Sequence, residues 1–106
     1  MSLPRVGPFV GVSRDEIFTP EGGDRKLRML LYGAYDAFGL IGSECNGVAI
    51  LDEDNKQVLV DELGKADSGY HGPTRMQEAM FTGLRNASWE HIKDVINDSP
   101  RDRGVL

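Results

Sequence analysis

The segment NGVAILDEDNKQVLVDEL, residues 46–63, constrains the fold most. Two apolar runs, 48–51 and 58–60, flank the polar stretch DEDNK. Short β-branched runs bounded by turn residues read as strands, and two of them around one polar turn read as a hairpin. Asp54 and Asn55 suit the positive φ angles of a tight turn. Both strands are apolar throughout, which predicts cover on both faces. A chain of 106 residues makes one domain and has little material for two covers. The hairpin is therefore expected near a subunit contact, in a homo-oligomer. An isolated hairpin is only marginally stable. The stretch PFVGVS, residues 8–13, supplies a short N-terminal strand able to join the sheet.

The remaining segments read as helices. TPEGGD, residues 19–24, is a loop, and Asp24 suits an N-cap. Leu27, Leu30, Leu31, Ala34, Tyr35, Phe38 and Ile41 follow at helical spacing. Arg25, Lys26 and Arg28 would then lie at the positive end of that helix, which calls for acidic neighbours such as Asp61 and Glu62. A long connection, 64–73, ends in Pro73, suited to a first helical position. Met76, Ala79, Met80 and Leu84 form an apolar stripe. Ser88 suits the cap of a last helix, on which Trp89, Ile92, Val95 and Ile96 share a face. Pro100 ends it, and the tail from Arg101 is expected to fray. The order is β-α-β-β-α-α. It predicts a single α+β domain over residues 1–106, a small antiparallel sheet packed against about three helices.

Charge and cysteine usage narrow the function classes. The net charge of −5 opposes binding to phosphate backbones, and the basic runs RKLR and RDR are short. Cys45 is the only cysteine, so no intrachain disulfide forms and a cytoplasmic location is expected. No charged region followed by an apolar run opens the chain, and no apolar stretch reaches the roughly 18 residues of a membrane span. DEDNK resembles the start of a calcium loop, but Lys56 stands at the third ligand position and Leu63 where the bidentate Glu belongs. Two histidines and one cysteine do not make a structural zinc site. No metal or cofactor is expected.

Three readings of the chemistry follow. In SGYHGPTRMQ, Gly69 and Gly72 permit close backbone approach, a helix N-terminus follows, and Tyr70, His71 and Arg75 add polar groups that suit a small anion. Backbone geometry explains the same glycines and Pro73 as a helix-initiating turn, which is the preferred reading. A pairing of Cys45 with His71 as nucleophile and base depends on proximity that spacing does not supply. In AMFTGLRNASWEHIKDVI, the offsets of Ala79, Gly83, Leu84, Trp89 and Ile92 match a helix-turn-helix with Gly83 at the turn. Glu90, Asp94 and Asp98 on the would-be reading helix oppose DNA. The preferred function is a non-catalytic binding or protein-interaction domain that self-associates, with a protein or small anionic ligand as partner and neither nucleic acid nor membrane. The alternatives are a nucleic-acid-binding regulator using residues 75–97, and a small enzyme acting on an anionic substrate near Tyr70, His71 and Arg75.

Overall fold

A computed structural model describes residues 5–33, 46–66 and 73–98. A short β1 (Arg5–Val6) pairs with β2 (Phe9–Val10). Four longer strands follow: β3 (Val12–Phe18), β4 (Leu27–Tyr32), β5 (Asn46–Asp52) and β6 (Gln57–Ala66). They form an antiparallel sheet in the order β3-β4-β5-β6. Two helices complete the described residues, α1 (Arg75–Arg85) and α2 (Trp89–Asp98). The α+β class and the antiparallel sheet agree with the sequence pattern, but the element order differs.

The difference lies at residues 27–32, read as the start of a helix and found as β4. Leu27, Met29 and Leu31 join the core beneath the helices, while Leu30 and Tyr32 join a second apolar cluster on the opposite face. A short run apolar on both faces fits a strand period and a helix period equally. Here β3 and β5 lie on either side to take its backbone groups. Asp24 accordingly caps no helix. Ala34, Tyr35, Phe38 and Ile41 lie outside the described residues, as do Cys45, Pro100 and the tail from Arg101.

The expected hairpin is β5–β6, and every residue of β5 is buried. Val48 and Ile50 face the helices; Ala49 and Leu51 face the other way. Val48, Ile50 and Leu51, fully removed from water, each contribute about 1.5–3 kcal/mol, so β5 anchors both cores. Val6, Phe9 and Val12 pack into the second cluster, and the Phe9 and Tyr32 rings stand 4.9 Å apart. Cover for both faces therefore comes from within one chain. The argument that this hairpin needs a subunit contact does not hold.

The turn differs in detail. Positive φ falls on Lys56 (55°), not on Asp54 and Asn55. Asp52 organises the loop, its Oδ1 accepting from the Asp54 and Asn55 amides at 3.0 and 3.1 Å and its Oδ2 from Asn55 Nδ2 at 3.2 Å. Burial pushes this carboxyl up. The hydrogen bonds from Asn55 and Asp54 and the charge of Arg25 outweigh that and hold it below the usual aspartate range. The basic residues do meet acids, though as loop and strand residues: Arg25 approaches Asp52, and Arg28 pairs with Asp15 and Glu53.

Candidate functional site

Helix α1 begins with a reciprocal cap. The Thr74 hydroxyl accepts from the Gln77 amide at 3.2 Å, and Gln77 Oε1 accepts from the Thr74 amide at 2.8 Å. Pro73 thus precedes the cap and does not occupy the first helical turn. The other end of the Gln77 amide crosses to the sheet. Its Nε2 donates to Gly64 O at 2.8 Å and to Asn46 O at 3.0 Å. Gln77 is fully buried, and these bonds make its burial tolerable. Gly33 fits beside Asn46 because a Cβ there would overlap the Asn46 side chain, and its φ of +149° also favours glycine.

This anchor sets the phase of α1. Gln77, Phe81 and Leu84 point into the core. The expected stripe of Met76, Ala79, Met80 and Leu84 is therefore turned partly outward. Leu84 is buried and Met80 half-buried, but Ala79 is exposed and Met76 is 72 % exposed. The apolar residues left outside do not lie idle on the surface. From α1, Met76, Ala79, Met80, Gly83 and Leu84 line an open groove of about 570 Å³. Leu63 of β6 and His91 and Val95 of α2 complete it.

Helix α2 is positioned by its start. Ser88 Oγ accepts from the His91 amide at 3.3 Å, as its capping role requires, and the Trp89 amide donates to Glu21 O at 2.8 Å. Ile92 and Ile96 are buried, with Trp89 and Val95 half-buried beside them, so the expected face is the one that packs. Glu90, Asp94 and Asp98 stay exposed or nearly so, and among the described residues none of the three joins an ion pair.

The opposite flank of α1 is polar. Arg14 Nη1 donates to Thr82 Oγ1 at 3.1 Å, and Arg85 Nε donates to Glu16 at 2.9 Å. Each guanidinium also lies over a ring, Arg14 over Phe81 at 4.3 Å and Arg85 over Phe18 at 4.4 Å. The bond from Arg85, with Arg14 beside it, holds the Glu16 carboxyl below the usual glutamate range against the effect of burial. This flank is a satisfied ion network, whereas the groove side leaves apolar side chains open to solvent.

Of the anion-site residues, Gly69, Tyr70, His71 and Gly72 lie outside the described residues. Arg75 is the exposed first residue of α1, next to a turn whose Gln77 amide is taken by Thr74. Gly83 lies inside α1, and the chain turns at residues 86–88, so the turn of the helix-turn-helix register falls three residues later than expected. No three His, Cys, Asp or Glu side chains close enough to hold a metal ion occur among the described residues. No described helix is long and apolar enough to cross a membrane. Sequence reasoning misses the groove because its methionines pass for core at helical spacing. The T-x-x-Q box at Thr74 is the available signal for the true helix phase.

Compared with protein-family models, with curated proteins and with solved structures, the chain matches none of them.

Proposed function

We propose that this chain is a non-catalytic interaction domain. Its groove between α1, α2 and the end of β6 receives apolar side chains of a partner segment flanked by Lys or Arg. The observation that carries this reading is the groove itself: about 570 Å³, lined by Leu63, Met76, Met80 and Val95, with Met76 72 % exposed. That volume suits a few inserted side chains. Unbranched methionines adapt to varied shapes, and an exposed apolar patch rimmed by polar residues is a common mark of a docking surface. The α1 side of the rim carries Arg75, one turn before Ala79, but the α2 side favours a basic flank. Asp94 and Asp98 lie a turn from His91 and Val95 there, and the whole chain carries −5. Such charges steer a basic segment inward and repel an acidic one.

The test is an NMR titration with two amphipathic peptides that share an apolar core and differ only in Lys or Glu flanks. The Lys-flanked peptide should give saturable shifts in the amides of Leu63, Met76, Met80, His91 and Val95. Gly83→Phe should abolish them by filling the groove. The variant should still fold, because a Cβ at Gly83 meets nothing within 4 Å. Binding that survives Gly83→Phe, or no binding by either peptide, would overturn the reading.

A further inference from the structure

We infer that the outer edge of β3 pairs with the same strand of a second copy, joining two four-stranded sheets into one. The surface is separate from the groove and does not depend on it. Among the described strands β3 and β6 lie at the edges of the sheet, and an open edge presents unpaired backbone groups. The β6 edge is broken up: its ten residues pair with seven of β5 through three register shifts, and Gly64 there has φ +64°. Bulges of this kind twist an edge away from new partners. The β3 edge has one shift, at Ser13, and then runs regularly from Arg14 to Phe18. Ile17 on it is 51 % exposed. No described strand covers it.

The charges of β3 select the occupant. Charged side chains, lysines above all, usually protect an edge, and they do so by repulsion only where a second copy brings like charges opposite. Here Arg14 and Glu16 have opposite signs, lie two residues apart and so share a face, the one toward α1. In an antiparallel pairing about a two-fold axis, Asp15 stands opposite Asp15 of the second copy. Arg14 then stands opposite Glu16, twice, and Ile17 faces the irregular position of Ser13, twice. Opposite charges directly across a strand pair are favourable. The existing Arg85–Glu16–Arg14 network would run on across the axis. The two Asp15 carboxylates stand directly opposite each other and repel; Arg28 of each chain offsets part of this by neutralising its own Asp15, with Nε at 2.8 Å from Oδ1 and Nη2 on Oδ2. A partner strand of another sequence would lack this two-fold match.

Sedimentation over a range of concentrations, combined with cross-linking, tests the pairing. The native chain should show a monomer–dimer equilibrium. Ile17→Lys, at an exposed position, should keep the fold and weaken the dimer by about tenfold or more. In a Cys45→Ser background, Asp15→Cys should form an intermolecular disulfide with oxidised glutathione, since directly opposed Cβ atoms lie about 4.5–5.5 Å apart. Ile17→Cys should not, because its mate lies about four residues, or roughly 13 Å, along the partner strand. A chain that stays monomeric at high micromolar concentration overturns the inference. So does a dimer indifferent to Ile17→Lys in which the Asp15→Cys variant cross-links no faster than the Ile17→Cys variant.

Discussion

Helix α1 meets the two sides of the sheet in opposite ways. Toward β3 it sends Thr82 and Arg85 into a surface ion network with Arg14 and Glu16. Toward β5 and β6 it sends one buried amide, Gln77, and leaves Met76, Ala79 and Met80 around an open groove. Exposed ion pairs contribute little to stability, since water and salt screen them and long side chains must be ordered. A buried hydrogen-bonding group is different, because removing it strands its partners away from water. The β5–β6 side should therefore hold most of the attachment, and the β3 side should be nearly dispensable for folding.

The sharpest way to break that comparison is Gln77→Ala. It removes half of the helix cap and strands the carbonyls of Asn46 and Gly64. A destabilisation of about 3 kcal/mol is expected, read by chemical denaturation. A loss as small as that of a surface pair would show that α1 is held chiefly by Phe81 and Leu84. Asp52→Ala probes the turn that starts β6 and should follow at about 2 kcal/mol, because three donors lose a charged acceptor. Asp52→Asn should lose less in the same measurement, since the carbonyl oxygen still accepts.

These positions also show what is legible in the chain. The hairpin can be read because DEDNK interrupts two apolar runs cleanly, and α2 because Ser88 precedes a well-spaced apolar face. Residues 27–32 cannot be settled locally. Leu27, Met29 and Leu31 on one face and Leu30 and Tyr32 on the other become a strand only once β3 and β5 flank them. Gln77 is harder still. A glutamine at a core position makes sense only when the open carbonyls of Asn46 and Gly64 are known to lie beside it, and those come from sequence 31 and 13 residues away. With Gln77 unread, spacing phases α1 on its methionines and assigns the groove residues to the core.

Gly83→Ala sharpens the comparison from the groove side. Gly83 lies inside α1, and the added methyl meets no atom within 4 Å. Helix propensity should raise stability by about 0.5–1 kcal/mol, measured by thermal unfolding. A loss instead would mean that the groove closes over Gly83 in solution.

The smallest effect is expected at the β3 edge, from Glu16→Gln. Arg85 Nε at 2.9 Å and Arg14 Nη2 at 3.2 Å both favour the ionised carboxylate. Its folded pKa lies below the ordinary value of 4.5, chiefly through the bond from Arg85. A carboxyl lowered on folding stabilises the native state above its unfolded pKa, because the unfolded chain binds the proton more readily. That contribution is fully present at neutral pH, begins to fall as pH approaches 4.5 and is lost as pH drops through the folded value. Asp52 titrates in the same direction, but it is present in both proteins and cancels in their difference. Thermal unfolding of the native chain and Glu16→Gln should therefore show a small, constant gap near neutral pH that closes on acidification. Salt should shrink the gap at neutral pH, as it does for exposed charges. A gap that exceeded the Asp52→Ala effect, or that ignored both pH and salt, would mean that Glu16 holds α1 through buried contacts, and the two sides of the sheet would no longer differ in kind.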